Sequence, residues 1–215
     1  MARLRGGFGG NIYIGAVPAL PPELIPQLLT RLAAQRPGPS TVVRAIPAGR
    51  SPADLLDGAA FDMVLVRGVV DTPGLGSVVV ARESIGVALS TKHPLAARSS
   101  VAPADLSGVP IISFGRTTDP EEFDRIYQPL SAAGLRDLQL VHESHPGAVE
   151  ASLRLVERGV GVSLKLASEV AAFGSSAITW RPLEGMELDV IVSAAWRHDQ
   201  MTPALRRLVG LVAHG

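Results

Sequence analysis

A chain of 215 residues, 47% of them hydrophobic, can bury a core as one large domain or as two small α/β lobes. Its 20 basic and 20 acidic residues cancel, so the basic excess of a free-standing nucleic-acid-binding domain is missing. The lack of cysteine excludes disulfides, thiolate catalysis and Cys-ligated zinc, and no apolar run reaches the ~18 residues of a membrane span.

Met1 to Gly10 is basic and glycine-rich, lacks the apolar stretch of a signal peptide, and reads as a tail or linker end. Asn11 to Ala16 predicts a strand with Ile12 and Ile14 as its apolar positions. After a loop holding Pro18 and Leu20, Pro22 opens a helix running to Arg36 with Glu23 in its first turn. Leu24, Ile25, Leu28, Leu29 and Leu32 give that helix a wide apolar face, which serves either the core or a partner. Thr41 to Ile46 is a second strand. Gly49, Arg50 and Ser51 follow it, with Ser51 placed to cap a helix from Pro52 to Leu56 that Gly58 ends. Met63 to Val66 is a short, fully apolar strand with Arg67 just beyond it. The order βαβαβ predicts a parallel sheet, and its strand ends carry Pro18, Gly49 to Ser51 and Arg67 towards one edge.

Two extended runs follow, Val78 to Ala81 and Ile85 to Leu89, and then a His93-Pro94-Leu95-Ala96 turn and a short helix from Pro103 to Leu106. Ile111 to Phe114 predicts a strand ending at Gly115-Arg116. Asp119 caps a helix from Pro120 to Ala133, and Gly134 stops it. Leu138 to His142 is the next strand. Val149, Leu153 and Val156 mark a helix that Gly159 ends, and Val160, Val162 and Leu164 form another strand. The remaining elements are a helix over Leu166 to Ala172, strands Ile178 to Trp180 and Asp189 to Trp196, and a closing helix Pro203 to Ala213. Two lobes account economically for this repeated alternation, with the chain crossing near Glu83 to Gly86 and returning near Pro182 to Leu188.

GNIYIGA, LIPQLLTRLAAQRPGPSTVV, LLDGAAFDMVLVRG, KHPLA, VAPADL and LRLVERGVGVSL occur in an order and spacing that resemble the effector-binding domain of a LysR-type transcriptional regulator. The resemblance covers residues 5 to 213. It implies an α/β fold of two Rossmann-like lobes joined by two crossover strands, similar to type 2 periplasmic binding proteins. Residues 1–10 would be a linker remnant, 11–83 with 187–215 lobe I, and 84–186 lobe II. It also implies a cytoplasmic homodimer or homotetramer without cofactor, sensing a small anionic or aromatic carboxylate effector held between the lobes. Dimerisation is expected through the exposed part of the first helix. DNA contact is expected only through a helix-turn-helix domain absent from this chain, and no membrane partner is implied. A periplasmic-type solute-binding protein for a small organic anion is the competing reading of the same fold. Lys165 stands where the family often has a proline, which puts a charge near the cleft or hinge.

The ligand-binding candidates are Pro18, Leu20, Gly49, Arg50, Ser51, Arg67, Phe114, Arg116, His145 and Pro146. Arg67 suits bidentate carboxylate recognition or a sheet-edge ion pair. Ser51 is a helix cap with or without an anion beside it. Phe114 stacks on an aromatic ligand or belongs to the core. His145 donates to a ligand or lies in solvent. His142 and His145 flank Glu143 without a third ligand for a metal. No GxSxG, Walker loop or HExxH occurs, and Gly6 to Gly10 precedes a strand, so no catalytic residue is nominated.

Overall fold

A computed structural model describes residues 11–34, 40–47, 49–58, 60–143 and 148–213. The chain forms two compact units. Unit 1 runs to Arg82 and resumes at Val190, and unit 2 is Glu83–Asp189.

Unit 1 is built on β1 (Ile12–Ala16), α1 (Leu24–Ala34), β2 (Thr41–Ala45), α2 (Pro52–Asp57), β3 (Met63–Arg67) and the start of β4 (Leu75–Ser90). The returning chain adds β9 (Asp189–Arg197) and α6 (Pro203–Ala213). The strands lie in the order β2-β1-β3-β9-β4. β1 is parallel to β2, with Ile12 opposite Thr41, and to β3, with Ala16 opposite Leu65. β9 is antiparallel to β3. A central strand covered on both faces must be apolar at every position rather than at alternate ones. β3 obeys this: Met63, Val64, Leu65 and Val66 are all buried. Val64 and Val66 pack with Ile46, Leu55, Leu56 and Ala195 under α2. Leu65 lies with Leu24, Leu28, Leu211 and Val212 in a shallow groove between α1 and α6.

The first helix starts later than its sequence suggests. Pro22 and Glu23 form a turn, α1 begins at Leu24, and its first turn holds no acid. The Glu23 carbonyl accepts from the Gln27 N–H at 2.9 Å, so Glu23 flanks the helix. Pro26 is tolerated because first-turn N–H groups have no intrahelical acceptor.

The two extended runs, read as separate, are one strand. β4 continues from Leu75 to Ser90 through the polar Arg82-Glu83-Ser84, and so passes from unit 1 into unit 2. No glycine or proline there turns the chain, and polar residues are compatible with a strand where it is solvent-exposed.

Unit 2 adds β5 (Pro110–Ser113), α3 (Pro120–Ala132), β6 (Gln139–Glu143), α4 (Val149–Glu157), β7 (Ser163–Leu166), α5 (Ala167–Phe173) and β8 (Ile178–Pro182). The second half of β4 pairs antiparallel with β7 on one side and β8 on the other. β5 is parallel to β6. It is also tied to the chain entering β7 by the parallel bridge Ile111–Val162, by Ile112 N–H to Val162 O at 2.7 Å, and by Ser163 Oγ donating to Ile112 O at 2.7 Å. The carboxyl ends of β5, β6 and β7 therefore lie at one edge. Gly161 is required for this approach, since a Cβ there would sit 2.5 Å from the Pro110 carbonyl oxygen. Ala88, Ile112, Leu153, Val156 and Ile178 form the core under α4 and α5.

Candidate ligand-binding edges

In unit 1 the parallel pairing brings the loops after β1, β2 and β3 to one edge, where open α/β sheets take their ligands. Six of the nominated residues are there: Pro18, Leu20, Gly49, Arg50, Ser51 and Arg67. Arg67 is exposed, and its Nη2 donates to the Ala19 carbonyl at 2.8 Å. Ala19 is held at φ +57°, in the left-handed region that a residue with a Cβ rarely adopts. The arginine thus clamps the loop of Pro18 and Leu20 onto the end of β3. Ser51 is the cap of α2, its Oγ accepting from the Asp54 N–H at 3.1 Å, with Pro52 behind it. Gly49 turns the chain before it at φ +82°, a value that suits glycine. Arg50 reaches the Asp54 carbonyl only at 3.5 Å.

In unit 2 Phe114 lies just past β5, half-buried, edge-to-face with Phe123 of α3 at 6.1 Å. Phe123 in turn stacks on Tyr127 at 4.5 Å. Burial pushes the Tyr127 phenol up to about 12, with Ser113 acting against it, so this ring stays neutral. Arg116, in the loop after β5, is already paired. Its Nε and Nη2 chelate both carboxylate oxygens of Asp124 in α3, at 2.8 and 2.7 Å. That hydrogen-bonded pairing raises the arginine and lowers the aspartate from their ordinary values. Both are surface groups. His145 and Pro146 lie outside the described residues.

Lys165, outside the ligand-binding candidates but expected to put a charge near the cleft or hinge, stands in β7 near this second edge. It is half-buried, and its ammonium makes no hydrogen bond or ion pair among the described residues. Burial lowers its pKa, and the charge of Glu169 opposes that shift. The signal was present in the sequence as one of only two lysines, set inside the apolar run of VSLKL. His93, by contrast, is structural: its Nδ1 accepts from the Leu95 N–H at 3.2 Å and starts a 3-10 turn, Pro94–Ala97.

Among the described residues no group of three His, Asp or Glu could hold a metal ion. No described helix is long and apolar enough to cross a membrane.

Residues 5–215 match the family model described as the LysR substrate binding domain. The Hca operon transcriptional activator HcaR of Escherichia coli (strain K12) is 25% identical over 208 residues, spanning 94% of this chain and 67% of its own. AlsR, an HTH-type transcriptional regulator of Bacillus subtilis (strain 168), is 23% identical over 207 residues, 96% of this chain and 67% of its own. The fold is similar to that of the BenM effector binding domain solved with its effector benzoate. The TM-score is 0.79 at 20% identity, covering 97% of this chain and 92% of that one. CbnR, a LysR family transcriptional regulator, superimposes with a TM-score of 0.74 at 21% identity, covering 94% of this chain and 68% of that one.

Proposed function

The chain belongs to the LysR substrate-binding domain family, a non-catalytic family of transcriptional regulators, and on that premise we propose that it senses a small carboxylate-bearing effector. The observation that carries this reading is Arg67, set at the end of β3 and oriented by the Ala19 carbonyl, at the same sheet edge as the capped start of α2. A guanidinium fork matches a carboxylate in charge and in geometry. The benzoate bound by BenM makes an aromatic carboxylate the first class to test. Effector binding would act by favouring one arrangement of an oligomer over another, since a ligand shifts an equilibrium only through differential affinity. DNA contact would be made by a separate helix-turn-helix domain, and the regulator would work in the cytoplasm.

The experiment is a thermal-shift screen of aromatic and aliphatic carboxylates, followed by calorimetry with Arg67→Ala. Stabilisation should scale with ligand concentration over its dissociation constant. The substitution also removes the bond to Ala19, so unliganded stability should fall by about 1 kcal/mol. Affinity should fall roughly tenfold or more, the expected loss of a charge-assisted hydrogen bond. An unchanged affinity would leave Arg67 as a loop clamp only.

A further inference from the structure

The cation that the sequence offers at the carboxyl edge of unit 2 is already neutralised. Arg116 is chelated by Asp124. A second cation is brought to the same edge by strand register. Ile111 and Val162 are bridged in parallel, and three residues further along each chain lie Phe114 and Lys165. The Lys165 backbone is pinned. It pairs with Gly86 of β4, and its carbonyl accepts the Trp180 indole N–H at 2.8 Å. Trp180 can lie there only because Gly86 has no side chain, since a Cβ would come within 2.4 Å of the ring.

Two described acids on the elements beside β7, Glu83 of β4 and Glu169 of α5, are turned to other donors. Both Glu83 oxygens take Ser168, its N–H and its hydroxyl, each at 2.7 Å. Glu169 takes the Leu166 N–H at 2.9 Å. Among the described residues the ammonium therefore loses hydration without a hydrogen-bonded acceptor, with only the charge of Glu169 acting in its favour, an arrangement that costs stability. An anion arriving at this edge would offset that cost.

We propose that Lys165 is the cation of unit 2 that contacts the carboxylate or phosphoryl oxygen of an anionic ligand at the carboxyl edge of β5, β6 and β7. The inference rests on the effector reading above and assigns it a residue in the second unit. An ammonium offers three donors around a point charge, so it accepts either oxyanion without demanding the planar geometry of a guanidinium.

Lys165→Met keeps the stem and removes the charge, and Lys165→Gln is a second neutral variant. Without added anion the Met variant should melt at a higher temperature than the wild type. A lower temperature would mean that the ammonium already has a partner, and would overturn the inference. Calorimetry at low ionic strength then uses benzoate, succinate and inorganic phosphate as probes. The wild type should bind at least one of them, and both variants should bind it about tenfold more weakly or worse. Unchanged affinity in both variants, for a probe that the wild type binds, overturns the Lys165 inference and leaves the effector reading standing. Failure of the wild type to bind any of the three overturns both.

Discussion

His93 shows how one side chain ties a turn to pH. Its Nδ1 accepts the Leu95 N–H, which only the neutral imidazole can do. Burial acts in the same direction and lowers its pKa from the ordinary 6.5. A base whose pKa is lower in the folded than in the unfolded state contributes stability that is complete above 6.5. That stability falls as pH drops from 6.5 through the folded value, because only the unfolded chain takes up the proton there. His93→Asn keeps a capping acceptor but does not titrate. The stability of the wild type relative to this variant should therefore decline in urea titrations between pH 8 and pH 5. A difference that is flat with pH would remove His93 from the acid response. Local chemistry of this kind was legible in the sequence. Ser51 and Asp119 are caps by their place in the sequence, and each accepts the N–H three residues on. The fate of Arg116 was not legible. Four acids, Asp119, Glu121, Glu122 and Asp124, follow within eight residues, and only the helix phase of α3 selects Asp124. Glu122 is occupied by Arg125 through both oxygens, at 2.7 and 2.8 Å.

Elements were legible where periodicity and turn residues agreed, as in β3, α3 and α6. They were misjudged where the deciding interaction is distant. α1 begins at Leu24 and not Pro22, and β4 runs unbroken through the polar triple Arg82-Glu83-Ser84. The glycines of unit 2 are of this second kind. Gly86 looks unremarkable within IGVAL, yet a Cβ there would lie 2.4 Å from both the Arg181 carbonyl oxygen and the Trp180 ring. The backbone oxygen belongs to β8, so it cannot move without breaking the β4–β8 pairing. Gly86→Ala should cost about 1–3 kcal/mol by overpacking, or more if the strand pair separates. At Gly58, which has open space and a negative φ, alanine should change stability by less than about 1 kcal/mol. Chemical denaturation of the two variants checks the contrast, and equal losses would contradict it. The space left by Gly86 is what lets Trp180 make its indole bond to the Lys165 carbonyl, so Gly86→Ala should red-shift its fluorescence as well.

For the whole molecule, composition bounded the answer but left assembly open. The chain passages were expected near Glu83 to Gly86 and Pro182 to Leu188, and the unit boundaries fall at Arg82–Glu83 and Asp189–Val190. Self-association is the property that no pairing within one chain can reveal. Formal net charge is zero, so no long-range repulsion opposes contact between copies. The apolar face of α1 divides on folding. Leu28 and Leu32 enter the core, each 6% exposed, whereas Leu29 remains 37% exposed beside exposed Ala33. Leu29 is thus the position where the expected dimer contact and the core can be separated by substitution. Leu29→Glu should leave unfolding free energy within about 0.5 kcal/mol, as surface changes usually do. If α1 forms the contact, it would also bury an unpaired carboxylate in each copy, a cost of several kcal/mol that a modest interface cannot absorb. Sedimentation velocity should then show a slower species for Leu29→Glu than for wild type at the same micromolar concentration. Leu28→Ala is the control, because it should lower stability by about 2–5 kcal/mol through a core cavity. Wild-type sedimentation in Leu29→Glu would move the interface away from α1.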